Sequence, residues 1–382
     1  MFIRPRKPAP KPHVRPTLRE LGYEFDMADG KLRNIATSAP YEYDTFGTNK
    51  KKNTELYQSL VAPASRDVYR IMLEGDLHME TIAVPDSSQP HCNIYATPEA
   101  LSKERLVVII TGNGTFGGVW ASNVLLKEGL RAGSVLEYVR ACMCLGYGVL
   151  VLNPNENTVA PDGHPETFSS YFGHYTPIYG SETPDEHVGY VWSQIIRNSA
   201  AKSVAFIAYN TSGLPAVDLL KHDFERFVAK TTSIAFIDSI HSTFRLDLCV
   251  LQWLKLAARQ WETSAEPADC QIANDRVGCV AVSSGNSTDC RELTPLTCMQ
   301  SVLDFIFDGF ERGPIDNATF LATEVAPTPY ACNNAPAEIA SEADSSSSYT
   351  DVVADELDAL DSIQVISSEE NPSNDGYIGW EM

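Results

Sequence analysis

Short apolar runs recur along the chain, and most are unbroken rather than alternating with polar residues. They read "RLVVIITGNG" at 105–114, "YGVLVLNPNEN" at 147–157, "VAFIAYN" at 204–210, "SIAFIDSI" at 233–240 and "VGCVAVSSG" at 277–285. A continuous apolar strand is buried on both faces, which is the signature of a parallel sheet covered by helices. Helical spacing fills the intervals: "NTELYQSLVAPASRDVYRIMLEG" at 53–75, interrupted by Pro63, then "VWASNVLLKEG" at 119–129 and "SVLEYVRACMCLG" at 134–146. Two more helices follow, "PDEHVGYVWSQIIRNSAAK" at 184–202, with acidic residues in its first turn, and "LTCMQSVLDFIFDGF" at 296–310. Short strand candidates precede this alternation at 31–44, 77–84 and 92–98, and residues 158–184 read as a long loop. The pattern predicts an α/β domain over 18–313, with a mostly parallel sheet and helices on both faces. Such sheets place their sites beyond the carboxyl ends of the strands. Those ends carry Thr111, Gly112, Asn113 and Gly114, then Asn153 and Asn155, Asn210 to Ser212, Asp238 to His241, and Ser283 to Arg291.

Charge redraws the two ends of the chain. The net charge of −21 divides into −14 for residues 314–382, which hold no Lys or Arg, and −7 for residues 1–313. An acidic, Ser- and Ala-rich tail cannot bury enough apolar surface to offset its ordering entropy, so disorder is expected there. Within it, Ile363, Val365 and Ile366 beside acids resemble a SUMO-interacting strand, which binds by adding to a sheet edge. Residues 1–17 form a basic, proline-interrupted arm expected to be extended and disordered. The arm lacks an apolar stretch after its basic residues, so it does not read as a secretory signal. No apolar run reaches the roughly 20 residues needed to span a bilayer. The expected location is nucleus or cytoplasm, with protein partners, no membrane and no direct nucleic acid, since phosphate binding needs excess positive charge. Nine cysteines show no framework or zinc spacing, so neither disulfides nor a metal is expected.

Three chemistries compete for the strand ends. Gly112-Asn-Gly114-Thr-Phe-Gly117 matches a dinucleotide-binding turn after a strand. The following strand, however, ends in Asn153 rather than the acid that would hold a ribose, and no cofactor is expected. A serine hydrolase would need a nucleophile at a strand–turn–helix elbow, with an acid and a histidine on later loops. The elbow candidate is Ala208-Tyr-Asn-Thr-Ser212, which puts Asn210 at the tip; Asp238 and His241 follow, and no histidine occurs after His241. The third reading keeps the hydrolase sheet as a binding scaffold without turnover.

Six segments carry a family resemblance: "LGYEFDMADGKLRNI" at 21–35, "LGYGVLVLNPNEN" at 145–157, "EHVGYVWSQII" at 186–196, "VAFIAYNTSGL" at 204–214, "IDSIH" at 237–241 and "RELT" at 291–294. Their order resembles the Argonaute-binding-protein-two (Arb) domain family and its cotranscriptional regulator subgroup, over roughly residues 18–310. The resemblance implies an α/β-hydrolase-like fold in which typical members read Ala-His-Ser-Tyr-Gly-Gly at the elbow, His-Gly-Ser-Gly on the earlier loop and His-Glu-Leu-Thr near the end. Here the elbow serine falls on Asn210, its preceding histidine on Tyr209, the loop histidine on Thr111, the loop serine on Asn113 and the late histidine on Arg291; Asp238, Ser239 and His241 are retained. The resemblance therefore implies a scaffold without an intact catalytic set, linked to Argonaute-dependent RNA silencing, chromatin or splicing. The rival expectation is an active or residual serine hydrolase or esterase, through Ser212 and His241 in an unusual register or through other chemistry at Asp238.

Overall fold

The computed structural model describes residues 15–315, apart from 113, 160–164, 167–175 and 287. Nine strands form the main sheet: β1 Glu80–Val84, β2 Cys92–Ala96, β3 Arg105–Ile110, β4 Gly148–Val151 and β5 Ser203–Tyr209. They are followed by β6 Thr231–Ile237, β7 Ala258–Glu262, β8 Gln271–Ile272 and β9 Val280–Ser283. Their spatial order is β8-β9-β7-β6-β5-β3-β4-β2-β1. The pairs β4–β3, β3–β5, β5–β6, β6–β7 and β7–β9 are parallel, while β1–β2, β2–β4 and β8–β9 are antiparallel. An antiparallel entry followed by a parallel run whose third and fourth strands exchange places is the α/β-hydrolase arrangement.

The unbroken apolar strands divide their side chains by twos. Val107 and Ile109 of β3, with Ala205 and Ile207 of β5, enter one core layer; Leu106, Val108 and Ile110, with Val204 and Phe206, enter the other. The first layer is closed by α1 Lys50–Glu74, α2 Leu136–Cys144 and α6 Met299–Arg312. The second is closed by α3 Pro184–Tyr190, α4 Gly213–His222 and α5 Leu248–Ala257. Their apolar stripes explain the placement: Val302, Ile306 and Phe310 lie along one side of α6, and Ala216 and Leu220 along one side of α4.

Several elements differ from the sequence reading. Helix α1 begins at Lys50, where the Asn49 side chain accepts a hydrogen bond from the Lys52 amide, and it runs through Pro63 without breaking. Pro63 is itself buried, so packing outweighs its missing backbone donor. The segment expected as one helix over 184–202 is α3 followed by a wider π-helical turn, Val191–Ile196. Helix α5 and strand β7 were not anticipated at all. β7 reads Ala-Arg-Gln-Trp-Glu, too polar to announce a central strand, yet it is slotted between β6 and β9. Within the expected loop over 158–184, Thr158–Val159 pairs with Pro165–Glu166 and Thr176–Pro177. No helix among the described residues is long and apolar enough to cross a membrane.

Candidate functional site

Strand β5 ends at Tyr209, and the chain turns through Asn210–Ser212 directly into α4. Asn210 sits at the tip with φ of 52°, in the left-handed region that non-glycine residues rarely occupy. Asparagine tolerates this conformation best among residues with a side chain, so the turn keeps its sharp form at low strain. Two contacts hold it. The Ser212 hydroxyl donates to the Thr111 carbonyl at the end of β3, and the Ile240 amide donates to the Asn210 carbonyl at 3.3 Å. Ser212 is buried, and its oxygen is aimed at the neighbouring strand end rather than into the crevice.

The glycine-rich loop after β3 is shaped by two asparagines. Asn155 donates from one amide nitrogen to the carbonyls of Gly112 and Thr115, at 2.7 and 2.8 Å. Asn153 accepts from the Gly117 amide at 3.1 Å and donates to the Asn93 carbonyl at 3.3 Å. Gly117 must lack a side chain here, because a Cβ would stand 2.9 Å from the Cβ of Asn153. Thr111 is buried, Gly114 takes a left-handed φ of 74°, and Asn113 lies outside the described residues. Asn153, where a dinucleotide fold would carry its ribose-binding acid, is wholly buried in these loop contacts. Replacing Asn155 by Ala removes the side-chain donor from the Thr115 carbonyl and one of the donors to Gly112, whose carbonyl keeps the Thr115 hydroxyl at 2.7 Å. We expect a loss of about 2 kcal/mol in unfolding free energy by denaturant titration.

Asp238 ends β6 with a left-handed φ of 42°. Its carboxylate accepts from the Thr263 amide at 2.8 Å and from the Thr263 hydroxyl at 2.7 Å, and that hydroxyl lies 2.8 Å from Thr294. His241 is fully engaged. The Val277 carbonyl can only accept, so the proton sits on Nε2 and is donated at 3.0 Å; Nδ1 then accepts from the Ser239 hydroxyl at 2.7 Å. The ring stacks on Phe236, and burial pushes its pKa down to about 4. Ser239 and His241 are thus a buried serine–histidine pair, but the serine oxygen is pressed against Gly213. A Cβ built on that glycine would fall 1.8 Å from it, so no acyl group fits on that side. Arg291 is exposed in a short turn and meets this network only through its carbonyl, which accepts from Thr294 at 2.7 Å.

Two features escaped the sequence reading. Behind Asn153, His187 accepts the Asn153 amide on Nε2 at 3.3 Å, so Nδ1 carries the proton toward Ser181 at 2.8 Å; Cys92 lies 3.7 Å away. Burial holds His187 down to about 3 and pushes the Cys92 thiol up to about 12, an inert structural cluster. The signal available was a histidine on the apolar side of a helix start. The second is a groove beside α4, formed with the loop after His241. Among the described residues no group of His, Cys, Asp and Glu is arranged to hold a metal, and the described cysteines are free. Ile363, Val365 and Ile366 lie outside the described residues.

Comparison with known proteins gives a consistent relationship. The "Cotranscriptional regulator ARB2A" of Mus musculus is 28% identical over 341 residues, covering 77% of this chain and 81% of that protein. The Homo sapiens protein of that name is 27% identical over 340 residues, covering 77% and 81%. A Dictyostelium discoideum homologue is 22% identical over 321 residues, covering 78% and 80%. Among solved structures, the histone deacetylase Clr3 aligns with a TM-score of 0.42 and 13% identity, over 72% of this chain and 48% of that one. This chain therefore spans about half the length of the deacetylase. A bacterial heroin esterase aligns with a TM-score of 0.38 and 10% identity, over 70% and 93%. The profile of the Arb2 domain matches residues 14–268, and the chain belongs to the Arb2 domain family.

Proposed function

We propose that this protein is a non-catalytic scaffold of cotranscriptional regulation that works through protein–protein contacts on a hydrolase-like sheet. The observation that carries the reading is Asn210 at the elbow tip, with both ring nitrogens of His241 already committed. An amide cannot attack a carbonyl as a serine oxygen does, and a hydroxyl placed there still needs a free base to take its proton. Relatives named as cotranscriptional regulators support work in the nucleus; Argonaute-linked silencing, chromatin or splicing factors are the partners this reading proposes. In this reading residues 18–313 are the domain, residues 1–17 a basic arm, and residues 314–382 an acidic tail offering Ile363, Val365 and Ile366 to SUMO.

A fluorophosphonate probe tests the absence of turnover. The wild-type chain should remain unlabelled. Asn210→Ser should remain unlabelled too, because restoring the nucleophile does not restore a base. Wild-type labelling abolished by Ser212→Ala would instead establish a residual serine hydrolase. Affinity purification that recovers no silencing, chromatin or splicing factor would count against the scaffold role.

A further inference from the structure

Beside the elbow helix lies a groove of about 350 Å³. Its apolar lining is Leu214, Val217, Phe244 and Leu246, and the carboxylates of Asp185 and Asp218 line it as well. Among the described residues, two of these apolar side chains stand open to solvent, while Val217 is buried and Leu246 is half-buried against the core. Leu214 is 44% exposed and Phe244 75%, and Leu248 beyond them is 79% exposed. Isolated exposed apolar residues are ordinary, but a large aromatic over a lined depression marks a binding surface. The loop is also held in an unfavourable form to present it, since Arg245 takes a left-handed φ of 62°. Its guanidinium lies 4.9 Å from the centre of the Phe244 ring, so that face already accepts a cation from within the chain.

We propose that this groove docks an extended segment of a partner protein carrying Arg or Lys next to a bulky apolar residue. Charge complementarity selects this occupant. Among the described residues Asp185 makes no hydrogen bond or ion pair. Partial burial holds its carboxyl above the usual range, and the neighbouring charges of Asp218 and Glu186 add to that. Asp218 has a weak competitor in His222, 3.1 Å away on the same exposed helix surface. Among the described residues Lys221 is the cation that lines the groove, with Arg245 beside Phe244 at its edge, and both oppose the docking of a basic segment. A guest cation beside Asp185 relieves the repulsion between carboxylates, while its apolar neighbour covers Phe244 and Leu214. The inference rests on the scaffold reading and names the chemistry of one partner.

The test is fluorescence anisotropy on the full chain, with a fluorescein-labelled peptide Gly-Leu-Arg-Phe-Arg-Leu-Gly and a second peptide in which both arginines are glutamates. The arginine peptide should bind saturably and the glutamate peptide should not. Asp185→Asn and Phe244→Ser, both at exposed positions, should each weaken binding about fivefold, while Lys221→Ala should tighten it. No saturable binding, binding unchanged in Asp185→Asn or Phe244→Ser, or preference for the glutamate peptide overturns the proposal. A sedimentation shift of the unliganded chain caused by Phe244→Ser also overturns it, assigning the groove to a second copy. These failures leave fluorophosphonate labelling unchanged, so they are distinguishable from failure of the scaffold reading.

Discussion

Lowering the pH from 7.5 to 5 should cost the folded protein about 4 kcal/mol of stability, through His187 and His241. Burial is the first cause at both rings, holding His187 to about 3 and His241 to about 4. The unfolded chain takes up these protons near the ordinary histidine value of about 6.5. Between that value and the folded ones, the unfolded state binds more protons than the folded state. Stability is therefore fully present above about pH 7 and declines as pH falls toward 4. Each ring contributes about 2 kcal/mol of loss at pH 5. Carboxylates held low by ion pairs, such as Asp76 beside Arg140, add their losses only at still lower pH. The bonding gives the same sign. The Asn153 amide already donates into His187, and the Ser239 hydroxyl into His241, so a second proton on either ring displaces a donor. Denaturant unfolding at the two pH values measures the loss, and His187→Gln and His241→Gln should each remove about half of the slope. A pH-independent midpoint between 7.5 and 5 would mean that neither ring is buried as described.

Gly213→Ala should cost about 3 kcal/mol, although alanine is the better helix former by about 1 kcal/mol. The added Cβ would lie 1.8 Å from the Ser239 hydroxyl, 2.9 Å from its Cβ and 3.2 Å from Nδ1 of His241. Real atoms cannot approach so closely, so either α4 lifts from the sheet or Ser239 turns away. Turning Ser239 breaks its bond to His241, leaving a buried imidazole nitrogen unpaired at about 1–3 kcal/mol, in addition to the overpacking. A second change, Ser239→Gly, removes the overlap but not the lost hydrogen bond. The double variant should therefore recover about half the loss, a coupling that a double-mutant cycle reads directly. Independent, additive effects at the two positions would show that the helix start and the β6 loop are not in contact. The two adjacent small residues after the elbow thus do different work: Ser212 ties the turn to β3, and Gly213 lets α4 seat on Ser239.

The sequence by itself determined the layered α/β class, because strands such as Val107–Ile110 are apolar at every position and can only sit between two covering layers. It also determined that the elbow would present asparagine, since a strand, a turn of small residues and an apolar-striped helix follow one another without a gap. Local pattern failed where burial was bought by partners distant in the chain. β7 is half polar, and the Gln260 amide protons inside the sheet are donated to the Ser239 carbonyl and the Glu262 carboxylate. Pro63 reads as a helix break until the surrounding core layer makes a continuous helix more stable than an interrupted one. The state of the site lay still further from the sequence. His241 looks like a base on a loop, and only tertiary structure shows Val277, 36 residues away, accepting its Nε2 proton while Ser239 fills Nδ1. Asp238 looks like a strand-end acid until Thr263 is found holding both of its oxygens. Residue type can be read in order along a chain, but whether a titratable group is free depends on which donors and acceptors the folded core brings beside it.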